Sequence, residues 1–210
     1  MSNQQRPPQP SCIVDFEHIN RFWDRTHKTW TAKILPGEYY VTTQPDEAIA
    51  TTLGSCVSAC IRDKVFGIGG MNHFMLPMES THSSDLWMDS ATRYGSYAME
   101  HLINDILKNG GNRNNLEVKL AGGGKILAAM SDVGARNIQF VLDYLRTENI
   151  EVLAKDMGDI VPRKVMYYPA TGRMLIKKLR SMHNDTLVQR EQAYQHELDV
   201  QPDSGGVELF

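Results

Sequence analysis

Residues 49–76 read Ile49-Ala50-Thr51-Thr52-Leu53-Gly54-Ser55-Cys56-Val57-Ser58-Ala59-Cys60-Ile61-Arg62-Asp63-Lys64-Val65-Phe66-Gly67-Ile68-Gly69-Gly70-Met71-Asn72-His73-Phe74-Met75-Leu76. Three short runs of β type lie in this stretch: Ile49 to Leu53, Val57 to Ile61 and Phe66 to Leu76. Runs of this type bounded by turn residues carry the mark of strands. The charged break Arg62-Asp63-Lys64 makes the second and third runs a hairpin. Gly67, Gly69 and Gly70 weaken the third run and point to a close backbone approach or a bulge.

Upstream, Pro36-Gly37 turns the chain into a strand at Glu38-Tyr39-Tyr40-Val41. Downstream, Tyr94, Ala98, Leu102 and Ile106 recur every four residues and predict a helix over 85–109, stopped by Gly110-Gly111. Strands are expected at Leu116 to Ala121, Ile150 to Ala154, Lys164 to Tyr168 and Arg173 to Leu179. A second helix covers about 135–148, with Ile138, Val141, Leu142 and Leu145 on one face. Strands cluster first and the helices intervene later, which makes the class α+β. The organisation follows from composition. Residues 1–32 are an N-terminal extension, Gln- and Pro-rich and partly disordered at its start; 33–182 are the core domain; 183–210 are a polar C-terminal tail with some helical character up to Leu198.

The 210 residues carry 22 Lys plus Arg against 25 Asp plus Glu, a formal net charge of −3, with a mean hydropathy of −0.37. Such a balance argues against a nucleic-acid binder, which needs a basic stripe. No run approaches the roughly 20 apolar residues of a membrane span, and the polar start MSNQQRPPQPS lacks the apolar core of a signal peptide. Three cysteines, at 12, 56 and 60, are an odd set and argue against a disulfide framework. A reducing cytoplasm is the expected location.

Cys56 follows Gly54-Ser55 at the end of a β run, where a strand breaks into a turn. A turn of this kind can aim backbone N–H groups at a thiol and favour its thiolate. His73 lies 17 residues further on and comes beside Cys56 if the two runs pair. Cys plus His is the minimum equipment for nucleophilic acyl transfer. The alternatives are a small buried hydrophobe for Cys56 and a satisfied core histidine for His73. A metal site from Cys56, Cys60, His73 and His82 lacks the second close ligand pair of structural zinc. Gly122-Gly123-Gly124-Lys125 is followed by Ile126, where a phosphate loop needs Ser or Thr, so it reads as a turn after a strand.

Several segments resemble the CheD family of chemoreceptor glutamine deamidases. They are Gly37-Glu38-Tyr39, Leu53 to Val57, Arg62-Asp63, Gly69 to Pro77, Arg93-Tyr94-Gly95, Gly122 to Gly124, Arg136-Asn137, Asp156-Met157-Gly158 and Arg163-Lys164-Val165. The resemblance spans about 33–180 and implies a layered α/β sandwich of short, mostly antiparallel strands covered by two long helices. It implies hydrolysis of selected glutamine amides on methyl-accepting chemotaxis receptors, with Cys56 as nucleophile and His73 as base. Gly54, Ser55 and Asn72 then form the oxyanion and substrate-binding side, with no cofactor and no metal. One departure is visible. The family's Thr six residues before the Cys, which orients the His, falls on Ala50 here. Thr52 shares the strand face of residue 50 and is the expected substitute, with Thr51 the alternative. A CheC-type phosphatase is the further partner the resemblance implies. A non-catalytic adaptor that binds receptors or that phosphatase is the competing function.

Overall fold

The structure is a computed structural model that describes residues 6–77, 84–126, 133–179 and 185–200. Within them the β-type runs become ten strands in two five-stranded sheets. The first sheet holds β1 (Asn20–Asp24), β2 (Thr29–Lys33), β4 (Glu47–Leu53), β9 (Arg163–Tyr168) and β10 (Arg173–Lys178), side by side in that order. The second has the order β3 (Tyr39–Thr42), β6 (Gly69–Asn72), β5 (Val57–Asp63), β7 (Leu116–Gly122) and β8 (Glu151–Met157). β2 runs parallel to β4 and β7 parallel to β8; the other six pairings are antiparallel. Helices α1 (Ser84–Lys108) and α2 (Val133–Thr147) cover the second sheet, and α3 (Asp185–Val200) ends the described chain. The architecture is the expected α+β layered fold.

Alternation decides which side chains enter the space between the sheets. In β4, Ile49 and Leu53 join the main core, while Ala48 and Ala50 lie with Met166 in a small cluster on the opposite face. Thr51 therefore points inward with Ile49 and Leu53. In the second sheet, Asn72 reaches the Ala98 carbonyl of α1, and Phe74 packs edge-on against Phe140 of α2 at 6.1 Å. That face is turned to the helices, so His73, between them in sequence, is turned to the first sheet.

Both long helices stop as their last residues dictate. Gly110 takes φ +103° while its N–H bonds Leu107 O and that of Gly111 bonds Ile106 O, a left-handed cap that satisfies the final carbonyls of α1. Asn149 and Ile150 repeat the arrangement after α2.

Two boundaries differ from the reading by composition. Residues 20–32, set apart above as extension, form with Lys33 an edge hairpin of the first sheet. Its turn is held by Asp24, whose carboxylate accepts the N–H groups of Thr26 and His27. From β1, Arg21 reaches the buried Glu47 at 2.7 Å, and Glu47 also accepts the hydroxyls of Tyr40 and Thr42 at 3.0 and 2.6 Å. Charges on an edge strand masked its alternation. The polar tail also differs: residues 185–200 are helix α3, which packs back onto the core.

Candidate active site

Leu53 ends β4, Gly54-Ser55 makes the turn, and Cys56 is the last residue before β5. The turn is held from three sides. The N–H of Gly123 bonds Cys56 O, and that of Gly124 bonds Gly54 O, both at 2.7 Å. The Asn137 side chain on α2 donates to Ser55 O at 2.9 Å and accepts Leu76 N–H at 2.8 Å. The glycine run after β7 is thus a backbone buttress for the cysteine turn. Gly122 sits at φ +115°, and a Cβ there would lie 2.1 Å from Cys56 O. No side chain fits that approach.

The hairpin brings His73 to the same face as Cys56. β5 pairs β6 through Cys60 with Met71, Ile61 with Gly70 and Arg62 with Gly69. Val57 and Phe74 continue the ladder, exchanging hydrogen bonds at 2.9 and 3.0 Å. In that register His73 stands opposite Ser58, and Cys56 is its diagonal neighbour on one face, a separation side chains bridge.

Across the sandwich, Thr51 meets His73. Its Oγ1 lies 2.8 Å from His73 Nδ1 and 2.8 Å from the Ile34 carbonyl oxygen. A carbonyl only accepts, so the single hydroxyl proton goes to Ile34, and Thr51 Oγ1 accepts from Nδ1–H. The proton on Nδ1 leaves the lone pair on Nε2, which is buried and has no hydrogen-bond partner among the described residues. This assigns the tautomer in which Nε2 is the base.

Helix α3 closes the site. Leu187, Glu191, Tyr194 and Gln195 are buried, and their spacing puts them on one helical face. The Glu191 carboxylate accepts the N–H groups of Gly54 and Ser55 at 2.8 and 2.9 Å and the Ser55 hydroxyl at 2.6 Å. Tyr194 lies against Gly37, and its hydroxyl hydrogen-bonds that of Tyr94 on α1.

Burial pushes the Cys56 thiol well above its ordinary range, and the charge and hydrogen bond of Glu191 push it further. Burial holds the His73 imidazole down at about 3, aided by the positive charge of Arg190. With α3 in place the pair is neutral, a thiol beside an imidazole.

Gly54 and Ser55 adjoin Cys56 in one turn, and the register of β5 and β6 turns His73 to the same face as Cys56. Two expectations require correction. Thr52 lies on the outer face of β4, where it pairs with Lys164, and the residue touching His73 is Thr51. The count back from Cys56 to Ala50 led to the wrong strand face. Asn72 is turned away from the site: its Oδ1 accepts Ala59 N–H at 2.8 Å and its Nδ2 donates to Ala98 O at 3.1 Å. It ties β5 and β6 to α1. Sequence reasoning missed Glu191 and Tyr194, and it gave no role to Tyr94 and Asn137, which stood only within segments resembling the family. The one available signal was the spacing of Leu187, Glu191, Tyr194 and Leu198, a helical face inside a polar tail. Among the described residues no cluster of three or more His, Cys, Asp or Glu is placed to hold a metal ion, and His82 lies outside them. No helix among the described residues is long and apolar enough to cross a membrane.

The profile of the CheD family, described as CheD chemotactic sensory transduction, matches residues 75–178. A probable chemoreceptor glutamine deamidase CheD of Halorhodospira halophila is 54% identical over 204 residues, covering 96% of this chain and 94% of its own. The protein of the same description from Hahella chejuensis is 48% identical and covers both chains fully. That from Methylobacillus flagellatus is 54% identical over 91% of this chain and 95% of its own. With similarity of this extent running through both sheets, the cysteine turn and the helices, the chain belongs to the CheD family.

Proposed function

We propose that this chain is a protein-glutamine deamidase that hydrolyses side-chain amides on methyl-accepting chemotaxis receptors to glutamate and ammonia. The observation that carries the reading is the shared face of Cys56 and His73, with Nε2 left as the base by Thr51. The names of the relatives, chemoreceptor glutamine deamidases, supply the substrate class. Residues acting on a neutral amide need no cofactor for this reaction.

The cycle follows from the atoms. His73 Nε2 takes the Cys56 proton, and the thiolate attacks the carboxamide carbon. The oxyanion lies against the N–H groups of Gly54 and Ser55, donors already aimed at an oxygen in the closed state. The imidazolium returns its proton to the leaving nitrogen, ammonia departs, and a thioester remains. Water, deprotonated by Nε2, attacks the thioester; the carboxylate leaves and the thiol is restored. Thr51 stabilises the imidazolium by accepting from Nδ1–H throughout.

The test is mass spectrometry of a receptor cytoplasmic fragment incubated with the wild type, Cys56→Ala and His73→Ala. Conversion of defined glutamines by the wild type alone is the expected result. Binding without conversion on several receptors refutes the enzyme and favours an adaptor for receptors or a CheC-type phosphatase, a role that Cys56→Ala would leave intact. One observation favours that second reading: with α3 in place the thiol and the imidazole are both buried.

A further inference from the structure

A buried carboxylate costs several kcal/mol of lost hydration unless donors replace the water. Glu191 is fully buried, and its donors are two backbone N–H groups and the Ser55 hydroxyl of the turn that carries the cysteine. A tail that served only to stabilise the core would present an apolar side chain there. α3 instead presents a γ-carboxylate, from a helix, beside the candidate nucleophile. The product of deamidation in a helical receptor segment is the same group on the same kind of backbone. We infer that α3 occupies the groove of the substrate helix as an internal product mimic, with Glu191 in the seat of the reacting side chain, and that α3 must leave before a receptor helix can enter.

The inference rests on the deamidase reading for its substrate and on geometry for its occupant. The groove is bounded by Gly37, the Gly54-Ser55 turn and Tyr94. Its anchors are the Glu191 bonds to the turn and the Tyr94–Tyr194 bond. Inhibition of this kind is competitive: it raises the apparent KM and leaves kcat unchanged.

The same seat makes a reaction in cis. In Glu191→Gln, the side chain offered to Cys56 is an amide. The thiolate displaces ammonia from it, water opens the thioester, and residue 191 becomes a glutamate again, consuming one water and releasing one ammonia. The full-length chain is tested in three ways. Alkylation of Cys56 by iodoacetamide is followed by peptide mapping in the wild type, Glu191→Ala and Tyr194→Phe, with buried Cys60 as the internal control for unfolding. Expected is an acceleration at Cys56 of about tenfold or more in Glu191→Ala, the least that losing a hydrogen bond to a charged group is worth in an opening equilibrium, and of about two- to tenfold in Tyr194→Phe, which loses one bond between neutral hydroxyls. Receptor deamidation by Glu191→Ala is expected at lower KM and equal kcat. Glu191→Gln is expected to lose its amide at residue 191, and Glu191→Gln with Cys56→Ala to keep it. Unchanged alkylation overturns the inference whatever the receptor assay gives. So does persistence of the introduced amide in Glu191→Gln when the same sample converts receptor glutamines, because a helix that only covers the site does not present its residue to it. Faster alkylation with no receptor conversion counts against the deamidase reading alone.

Discussion

Thr51→Val removes one oxygen and keeps the shape of the side chain. Two buried groups then lose their partner, His73 Nδ1–H and the Ile34 carbonyl, each now held at 2.8 Å. An orphaned buried polar group costs about 1–3 kcal/mol. The imidazole can relieve its share by moving the proton to Nε2, but that tautomer has no base to offer the thiol. Either response falls on the chemical step, at about tenfold in rate per 1.4 kcal/mol, so kcat should fall by about 10- to 100-fold. KM should hold, because Thr51 lies across the imidazole from the substrate seat. Thr51→Ser restores the oxygen and should recover most of the rate. Thr52→Val, on the outer face of β4, should behave as wild type. The assay is steady-state release of ammonia from a receptor fragment, run well below the unfolding temperature of each variant. Full kcat in Thr51→Val, or a loss confined to Thr52→Val, refutes the assignment of the positioning residue.

Two further perturbations probe the frame around the site. Glu47→Ala strands Arg21 and the hydroxyls of Tyr40 and Thr42 inside the sandwich; breaking such a buried pair costs about 3–5 kcal/mol, read as a drop in the thermal midpoint by calorimetry, with Glu47→Gln falling between it and wild type. Gly122→Ala drives a Cβ toward Cys56 O from a backbone at positive φ; it should destabilise by about 1–3 kcal/mol in urea unfolding and lower kcat through the displaced turn.

The elements that local pattern specifies were legible. The predicted helix over 85–109 and the strand over Leu116 to Ala121 are α1 and β7 within a residue at each end. Both owe their form to periodicities that a linear sequence displays. What depends on which face of a strand meets which neighbour was not legible. Thr51 and Thr52 differ by one position, and only the pairing of β4 between β2 and β9 determines that the odd residues point inward. Asn72 failed for the same reason: adjacent to His73 in sequence, it belongs to the other face of the sheet. Glu191 was hidden by distance. Its partners Gly54 and Ser55 are more than 130 residues away, and its own segment is polar. A carboxylate in a polar tail is ordinary until its donors are known. Cys56 and His73 were found because a hairpin converts a 17-residue spacing into adjacency.

The proton inventory of the closed state ties these pieces together. A glutamate in the seat adds negative charge beside the thiol and opposes thiolate formation; a glutamine adds none. The site therefore favours attack on the amide, and the finished carboxylate suppresses a new thiolate until it leaves. His73 reports the difference. Closed, its pKa sits at about 3 rather than the ordinary 6.5, held down by burial and then by Arg190 on α3. A folded-state value below the unfolded one contributes stability that is present above about 6.5 and is lost as the pH falls toward about 3. Acid should therefore favour departure of α3. By NMR of the imidazole, His73 of the wild type should remain neutral at pH 5, and in Glu191→Ala, where α3 no longer holds the turn, its titration should move up toward the ordinary value. A wild-type His73 that titrates near 6.5 would place water and charge at the imidazole in the resting protein, and with them the closed site would be wrong.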